Sequence, residues 1–279
     1  MQSQPKLLNI SIVNYNSAKQ ELMDALAATL DSIFYLQSQF PEARSRLLIV
    51  DNGRCTGLTK ATFSSLQPNF LKANCEFKIL QGHGNPGYGQ GQNLAFEMQH
   101  SRYHLFMNPD VKMSLDALYN GIVYLESNND VGMVSPSATD KSGDKQFLCK
   151  RYPAVLDFLI RGLMPSRGQS FFAKRLSNYE MHDLTELRPT KGVPIVSGCF
   201  MLCRSDVIRQ VSGFDPSYFL YFEDFDLSIR VGAIAKIAYL PTMRVIHFGG
   251  NAAKKGLKHI TLFIRSGLRF FSSHGWKWL

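Results

Sequence analysis

Two acidic elements, far apart in the chain, carry side chains that could do chemistry together. Residues 197–230, SGCFMLCRSDVIRQVSGFDPSYFLYFEDFDLSIR, gather five carboxylates around the pair Glu223-Asp224. A carboxylate there is placed to act as a general base on a hydroxyl. Earlier, Asn108-Pro109-Asp110 ends the apolar run from Tyr103 to Met107, as a metal-binding carboxylate in a strand-end loop would. An aspartate in such a loop also caps turns. A base and a metal carboxylate point to group transfer from a phosphorylated donor. Asp226, four residues before Arg230, fits a structural ion pair on a helix.

The elements that must position these groups alternate. LLNISIV, a helix over about Lys19 to Gln39, RLLIVDN, FKILQ, a helix from about Gly91, and YHLFMNPDV predict a mainly parallel α/β sheet flanked by helices. Ligands on such sheets collect at the carboxyl ends of strands. Asn14-Tyr15-Asn16, Asp51-Asn52, residues 85–93 and 108–110 all fall there. The pattern then degrades over 148–194, which reads as a helical insertion on the acceptor side of a domain spanning 1–250. Residues 251–279 read as a basic amphipathic helix and tail. If 254–272 is one helix, Leu257, Ile260, Ile264, Leu268 and Phe271 share a face, flanked by Lys254, Lys258, Arg265 and Arg269. Such a helix suits an anionic membrane surface, with Trp276 and Trp278 beside it, and suits equally a helix packed on the domain.

Composition narrows the classes. At 279 residues, 45% apolar and 19% charged, the chain can bury a substantial core. No apolar run approaches the length of a membrane span, and the N-terminus lacks a signal-peptide pattern, so a cytoplasmic, soluble or peripheral protein is expected. Five scattered cysteines make no disulfide framework or zinc pattern, and Cys199 and Cys203 are expected on one face of a buried strand. A formal charge of +9 favours anionic partners. Nucleic acid fits poorly, because the basic residues are not interleaved with aromatics on a recognition fold. GHGNPG at Gly82 to Gly87 satisfies GxGxxG, but it follows the third strand and Pro86 interrupts the turn, which argues against a dinucleotide site. A nucleotidyltransferase would need a glycine-rich basic loop near the first strand, and SIVNYNSAK is not one.

As a set, SIVNYN, VDNG, GNPGYGQGQNLAF, FMNPDV, KRYP, SGCFMLCR, GFDPSYFLYFEDFDL and IHFGG resemble, in order and spacing, the family 2 inverting glycosyltransferases of the GT-A fold. The resemblance runs from Leu8 to Phe271 and is nearest to WbbL-like bacterial rhamnosyltransferases of O-antigen and polysaccharide assembly. It implies a metal-dependent transfer from a nucleotide diphosphate sugar, dTDP-L-rhamnose above others. The implied acceptor is an N-acetylhexosamine or glycan on a polyprenyl diphosphate, at the inner face of the cytoplasmic membrane. By the same resemblance Asp224 is the base, and Glu223, pointing elsewhere in an extended segment, holds acceptor hydroxyls or orients Asp224. Asp110 holds Mn2+ or Mg2+, and His247 either joins it as a ligand or is a structural or diphosphate-contacting histidine. Asn108 stands where a first metal carboxylate is common. Tyr15, Asn16, Asp51, Asn85, Gly87, Asn93 and Asn108 fall to the donor, with Asp51 accepting a pyrimidine N3–H or capping its loop. Arg151, Gly198, Phe214 and Asp215 fall to the acceptor, and Lys150, Arg161 and Arg167 could meet diphosphate or lipid. A catalytically silent sugar-nucleotide or anionic-lipid binder, or a transferase using a UDP- or GDP-sugar, is the alternative.

Overall fold

In a computed structural model the alternating first half forms β1 (Lys6–Asn14), α1 (Lys19–Gln39), β2 (Ser45–Asp51), α2 (Gln67–Lys72), β3 (Cys75–Leu80), α3 (Tyr88–Glu97) and β4 (Ser101–Met107). The described residues are 6–53, 60–64, 66–98, 100–164, 168, 170–249 and 256–279. Cys55, Arg167 and Lys254 lie outside them. β1 pairs in parallel with both β2 and β4, and β2 with β3. All seven residues of β2 are buried, which is why its sequence reads as an apolar run instead of an alternation. α1 covers one face through Leu22, Leu26, Ile33 and Leu36. α3 begins three residues earlier than its sequence pattern indicates, because Gly87 at φ +97° turns the chain and the Tyr88 N–H donates to Phe219 O at 3.1 Å.

The second half adds β5 (Val111–Met113), α4 (Ala117–Ser127), β6 (Val131–Thr139), β7 (Lys145–Gln146), β8 (Cys149–Lys150), α5 (Val155–Leu163), α6 (Ala173–Tyr179), β9 (Thr190–Lys191) and β10 (Ile195–Val196). After these come β11 (Phe200–Arg204), α7 (Ser205–Gln210), α8 (Glu223–Gly232), β12 (Lys236–His247) and α9 (Leu257–His274). The main sheet runs β3-β2-β1-β4-β11-β6-β12-β5, with β11 antiparallel between β4 and β6. Apolar clusters lie on both faces. Leu202 enters one and Cys203 the other. Cys199 and Cys203 therefore lie on opposite faces, contrary to expectation, because Cys199 precedes the regular strand and joins the cluster of Leu202.

Residues 148–194 are only partly helical: α5 and α6 are accompanied by a short antiparallel pair, β8 with β10. The C-terminal segment is fastened to them. The Val155 N–H donates to Lys277 O at 2.8 Å and the Tyr152 hydroxyl to Gly275 O at 2.6 Å. The expected shared face of α9 is divided along its length. Leu257, Ile260, Ile264 and Leu268 are exposed, while Phe271 is buried because Trp276 folds back and stacks on it at 5.3 Å.

Candidate active site

β11 begins opposite the end of β4, with Phe200 beside Met107, so the residues leading into it pass directly by the loop that carries Asp110. The Asn108 N–H donates to Cys199 O at 2.9 Å. One residue earlier the Gly198 N–H donates to Asp224 Oδ2 at 2.8 Å, and the Phe225 N–H donates to Oδ1 at 3.0 Å. The two residues Gly198 and Cys199 thus tie the Asp110 loop to Asp224. Space at Gly198 is tight: a Cβ would sit 3.2 Å from the Asp224 Cβ, which would have to give by a few tenths of an ångström, and 3.4 Å from Tyr88 Cε1.

The segment holding Glu223 and Asp224 is the first turn of α8, and not the extended chain expected from the sequence. Tyr221 and Phe222 precede it at φ +70° and +64°, a left-handed conformation that bulky residues adopt only under constraint. The constraint is visible. Phe222 is packed among Phe158, Phe263 and Phe270 at ring distances of 5.0–5.4 Å, Tyr221 Oη lies 2.8 Å from His259 Nδ1, and Ser266 Oγ donates to Leu220 O at 2.8 Å. Asp226 has the structural role the sequence indicates, paired with Arg230 at 2.6 Å and also with His274 at 2.8 Å.

Glu223 is buried and Asp224 partly so, and the loss of water raises the pKa of each. They differ in partners. Backbone N–H groups, those of Gly198 and Phe225 foremost, oppose the effect at Asp224, whereas the Asp224 charge adds to it at Glu223, whose Oε2 has no partner. The proton of the pair therefore resides on Glu223 and leaves Asp224 the stronger base site.

Antiparallel pairing of β12 with β5 sets His247 opposite Val111, next to Asp110. His247 Nε2 lies 3.7 Å from Asp110 Oδ1, a buried oxygen with no hydrogen bond. Gln146, which the sequence reading missed, orients the ring: its Nε2 donates to His247 O at 3.1 Å, leaving its Oε1 to accept the Nδ1–H at 2.8 Å. Nε2 then presents its lone pair. Burial lowers the His247 pKa against the opposing Asp110 charge, so the ring is neutral. A Cβ at Gly249 would fall 2.1 Å from Asp110 Oδ2, so glycine leaves the carboxylate room. An orphaned carboxylate oxygen and a neutral imidazole fit a divalent cation. No set of three His, Cys, Asp or Glu side chains surrounds this point among the described residues, so the remaining ligands would come from substrate or water.

On the donor side Asp51 is buried and accepts from Gln81 Nε2 at 2.9 Å and from Asn14 Nδ2 and the Gly53 N–H, both at 3.2 Å. Tyr15 is exposed beside Asn16, which turns the chain at φ +53°. Asn85 accepts the Gly87 N–H at 3.1 Å and so shapes its own loop, and Asn52 donates to Gly87 O at 2.9 Å. Three expected ligands are otherwise engaged. Asn93 spends its amide on the Phe214 backbone, donating to its O at 2.8 Å and accepting from its N–H at 2.9 Å. Phe214 is wholly buried against Phe106 and offers no surface to an acceptor. Arg151 is held by Asp183 at 2.7 Å, and Lys150 and Arg161 share Glu180, so each of these cations faces an acid of its own chain. Asp215 is partly exposed and accepts the Ser217 N–H at 2.8 Å. Gln81, Asn52 and Gln146 carried no sequence signal beyond lying in or near strand-end loops.

The Glycosyl transferase family 2 model matches residues 10–212. The chain belongs to this family. Among relatives of this family 2 glycosyltransferase, Rhamnosyltransferase WbbL of Escherichia coli (strain K12) is 27% identical over 172 residues, 58% of this chain and 61% of that protein. The match thus spans less than two thirds of that relative's length. The N-acetylglucosaminyl-diphospho-decaprenol L-rhamnosyltransferase of Mycobacterium tuberculosis (strain CDC 1551 / Oshkosh) is 26% identical over 251 residues, 82% of this chain and 76% of that one. Among solved structures, GalNAc-T7 with UDP, GalNAc and Mn2+ superposes at a TM-score of 0.63 with 12% identity, over 97% of this chain and 48% of that one. S. aureus TarS 1-349 in complex with UDP-GlcNAc does so at 0.56 with 13% identity, over 95% and 66%. The enzyme has the GT-A fold, a central mostly parallel sheet flanked by helices.

Proposed function

We propose that this glycosyltransferase moves L-rhamnose, with inversion, from dTDP-L-rhamnose to an N-acetylhexosamine or growing glycan on a polyprenyl diphosphate. The observation that supports the reading is the Gly198-Cys199 link, which ties Asp224 and the loop of Asp110 to one short segment. Asp224 takes the acceptor hydroxyl proton as that oxygen attacks the anomeric carbon from the face opposite the diphosphate. Glu223, protonated, is available to donate a hydrogen bond to the sugar. Asp110 and His247 would hold a divalent cation, which supplies positive charge for the departing nucleoside diphosphate. Asp51 and Tyr15 are the side chains offered to the base. The donor sugar and the lipid-linked acceptor follow the names of the two bacterial relatives and the sequence motifs.

The acceptor places the enzyme at the cytoplasmic face of the membrane. No helix among the described residues is long and apolar enough to cross one. The exposed Leu257, Ile260, Ile264 and Leu268, with Lys258, Arg265 and Arg269, form the surface we assign to anionic lipid. The test is calorimetric titration of the protein with dTDP, UDP and GDP, each with and without Mn2+. Metal-dependent preference for dTDP supports the rhamnosyl donor. Preference for UDP or GDP replaces the sugar, and no binding to any of them sinks the catalytic reading.

A further inference from the structure

Tyr88 is the first residue of α3, and its partly buried ring packs against the segment that holds the base. Its hydroxyl donates to Gly198 O at 2.6 Å and accepts from Gln92 Nε2 at 3.0 Å, one helical turn on. The other end of the Gln92 amide, Oε1, accepts from Ser11 Oγ at 2.5 Å. Ser11 Oγ in turn lies 2.8 Å from His104 Nε2. With the serine proton committed to Gln92, the histidine must be the donor in that last contact. Burial pushes the His104 pKa down to about 3, so the ring is neutral, carries its single proton on Nε2 and leaves Nδ1 without a partner.

Every donor in this buried chain points the same way, from His104 through Ser11, Gln92 and Tyr88 to the Gly198 carbonyl. The direction matters because the N–H of the same Gly198 holds Asp224 Oδ2. We propose that Tyr88 is a positioning residue for the Asp224 base, acting through the backbone on either side of the Gly198 Cα. This rests on the reading of Asp224 as the base. Gly198 has no side chain to lock its orientation, and the gap that a Cβ would fill is bounded by Tyr88 on one side and Asp224 on the other. The two hydrogen bonds therefore fix its backbone from opposite directions. One orders the carbonyl, and the other delivers an N–H to the carboxylate. The carbonyl and the N–H belong to adjacent peptide planes that share the Gly198 Cα, so a carbonyl plane left free by loss of the phenol hydroxyl loosens the backbone torsions that aim the N–H.

A purely structural tyrosine would satisfy buried polar groups without touching the chemistry. Tyr88→Phe separates the two, because it keeps the ring and removes only the hydroxyl. Two readouts are needed: steady-state kinetics, and the Gly198 amide in proton–nitrogen spectra of glycine-labelled full-length protein. The expected result is a kcat lower by about tenfold with the donor KM unchanged, and an upfield move of the Gly198 amide proton as its bond to the carboxylate weakens. An unmoved Gly198 resonance overturns the proposal, even if turnover falls. Unchanged kcat in a folded variant overturns it too. Gln92→Met gives a second route should Tyr88→Phe fold poorly, since it leaves the ring and hydroxyl in place and removes their orienting donor. It should shift the Gly198 amide in the same direction, and no shift counts against the proposal. Asp224→Asn distinguishes failure of the base reading: substantial turnover in that variant removes Asp224 from its role while leaving the spectroscopic test intact.

Discussion

Glu223 and Asp224 are neighbours with opposite assignments, and hydrogen bonding is what separates them. Asp224 has two backbone donors and Glu223 Oε2 has none, so Glu223 keeps the proton. Both pKa values are raised above those of the unfolded chain, so between the two ranges the folded protein binds more protons and its stability falls as pH rises. Glu223→Gln removes an ionisable group from that site. It is expected to stabilise the fold by about 1–2 kcal/mol at pH 8 and by less at pH 5, as read from urea denaturation at each pH. Because Glu223 already holds its proton where Asp224 titrates, the change deletes no like charge in that range. The acid limb of kcat/KM, where the base becomes protonated as pH falls, should therefore stay in place. A limb that moves to lower pH would mean that Glu223 is charged there and would overturn the assignment of the proton.

At the scale of elements, α9 does more than end the chain. Its inner face supplies Phe263, Phe270, His259 and Ser266 to the strained turn before α8, and His274 to Asp226 within it. Two consecutive left-handed aromatics persist only where surrounding contacts over-determine them. Phe270→Ala is expected to cost about 3–5 kcal/mol of stability, the range for deleting a buried aromatic ring. Under conditions where the variant remains folded, kcat should fall while dTDP affinity is kept, because the turn carries the base and the donor loops sit on other elements. Calorimetry beside kinetics checks this, and equal loss of both would mean the defect is global.

For the whole molecule, the net charge of +9 is not spread evenly in its consequences. Lys150, Arg151 and Arg161 face Glu180 and Asp183, whereas Lys258, Arg265 and Arg269 stand exposed along an exposed apolar row. Each free cation near an anionic bilayer contributes on the order of 1 kcal/mol, and salt screens it. The protein should therefore float with anionic vesicles at low salt, release at about 1 M salt where the screening length is about 3 Å, and ignore neutral vesicles. Ile264→Ser with Leu268→Ser should weaken flotation without altering nucleotide binding. Failure of the unmodified protein to float at low salt would remove the membrane from the reading.

The sequence by itself determined the parallel α/β half, the loops at the strand ends, and the two acidic elements, because strand burial and strand-end ligand chemistry are written in local residue types. It also indicated the Asp226–Arg230 pair, which is a matter of helical spacing. Other features depend on residues distant in the chain. Asn93 and Phe214 meet across 121 residues, so only the folded chain shows that the amide is used internally. Gln146 clamps His247 from 101 residues away, and Gly198 reaches Asp224 only after β11 is inserted antiparallel beside β4. Whether a polar side chain faces a ligand or another part of its own chain is decided by tertiary packing, since every buried donor and acceptor must find a partner and composition does not say which.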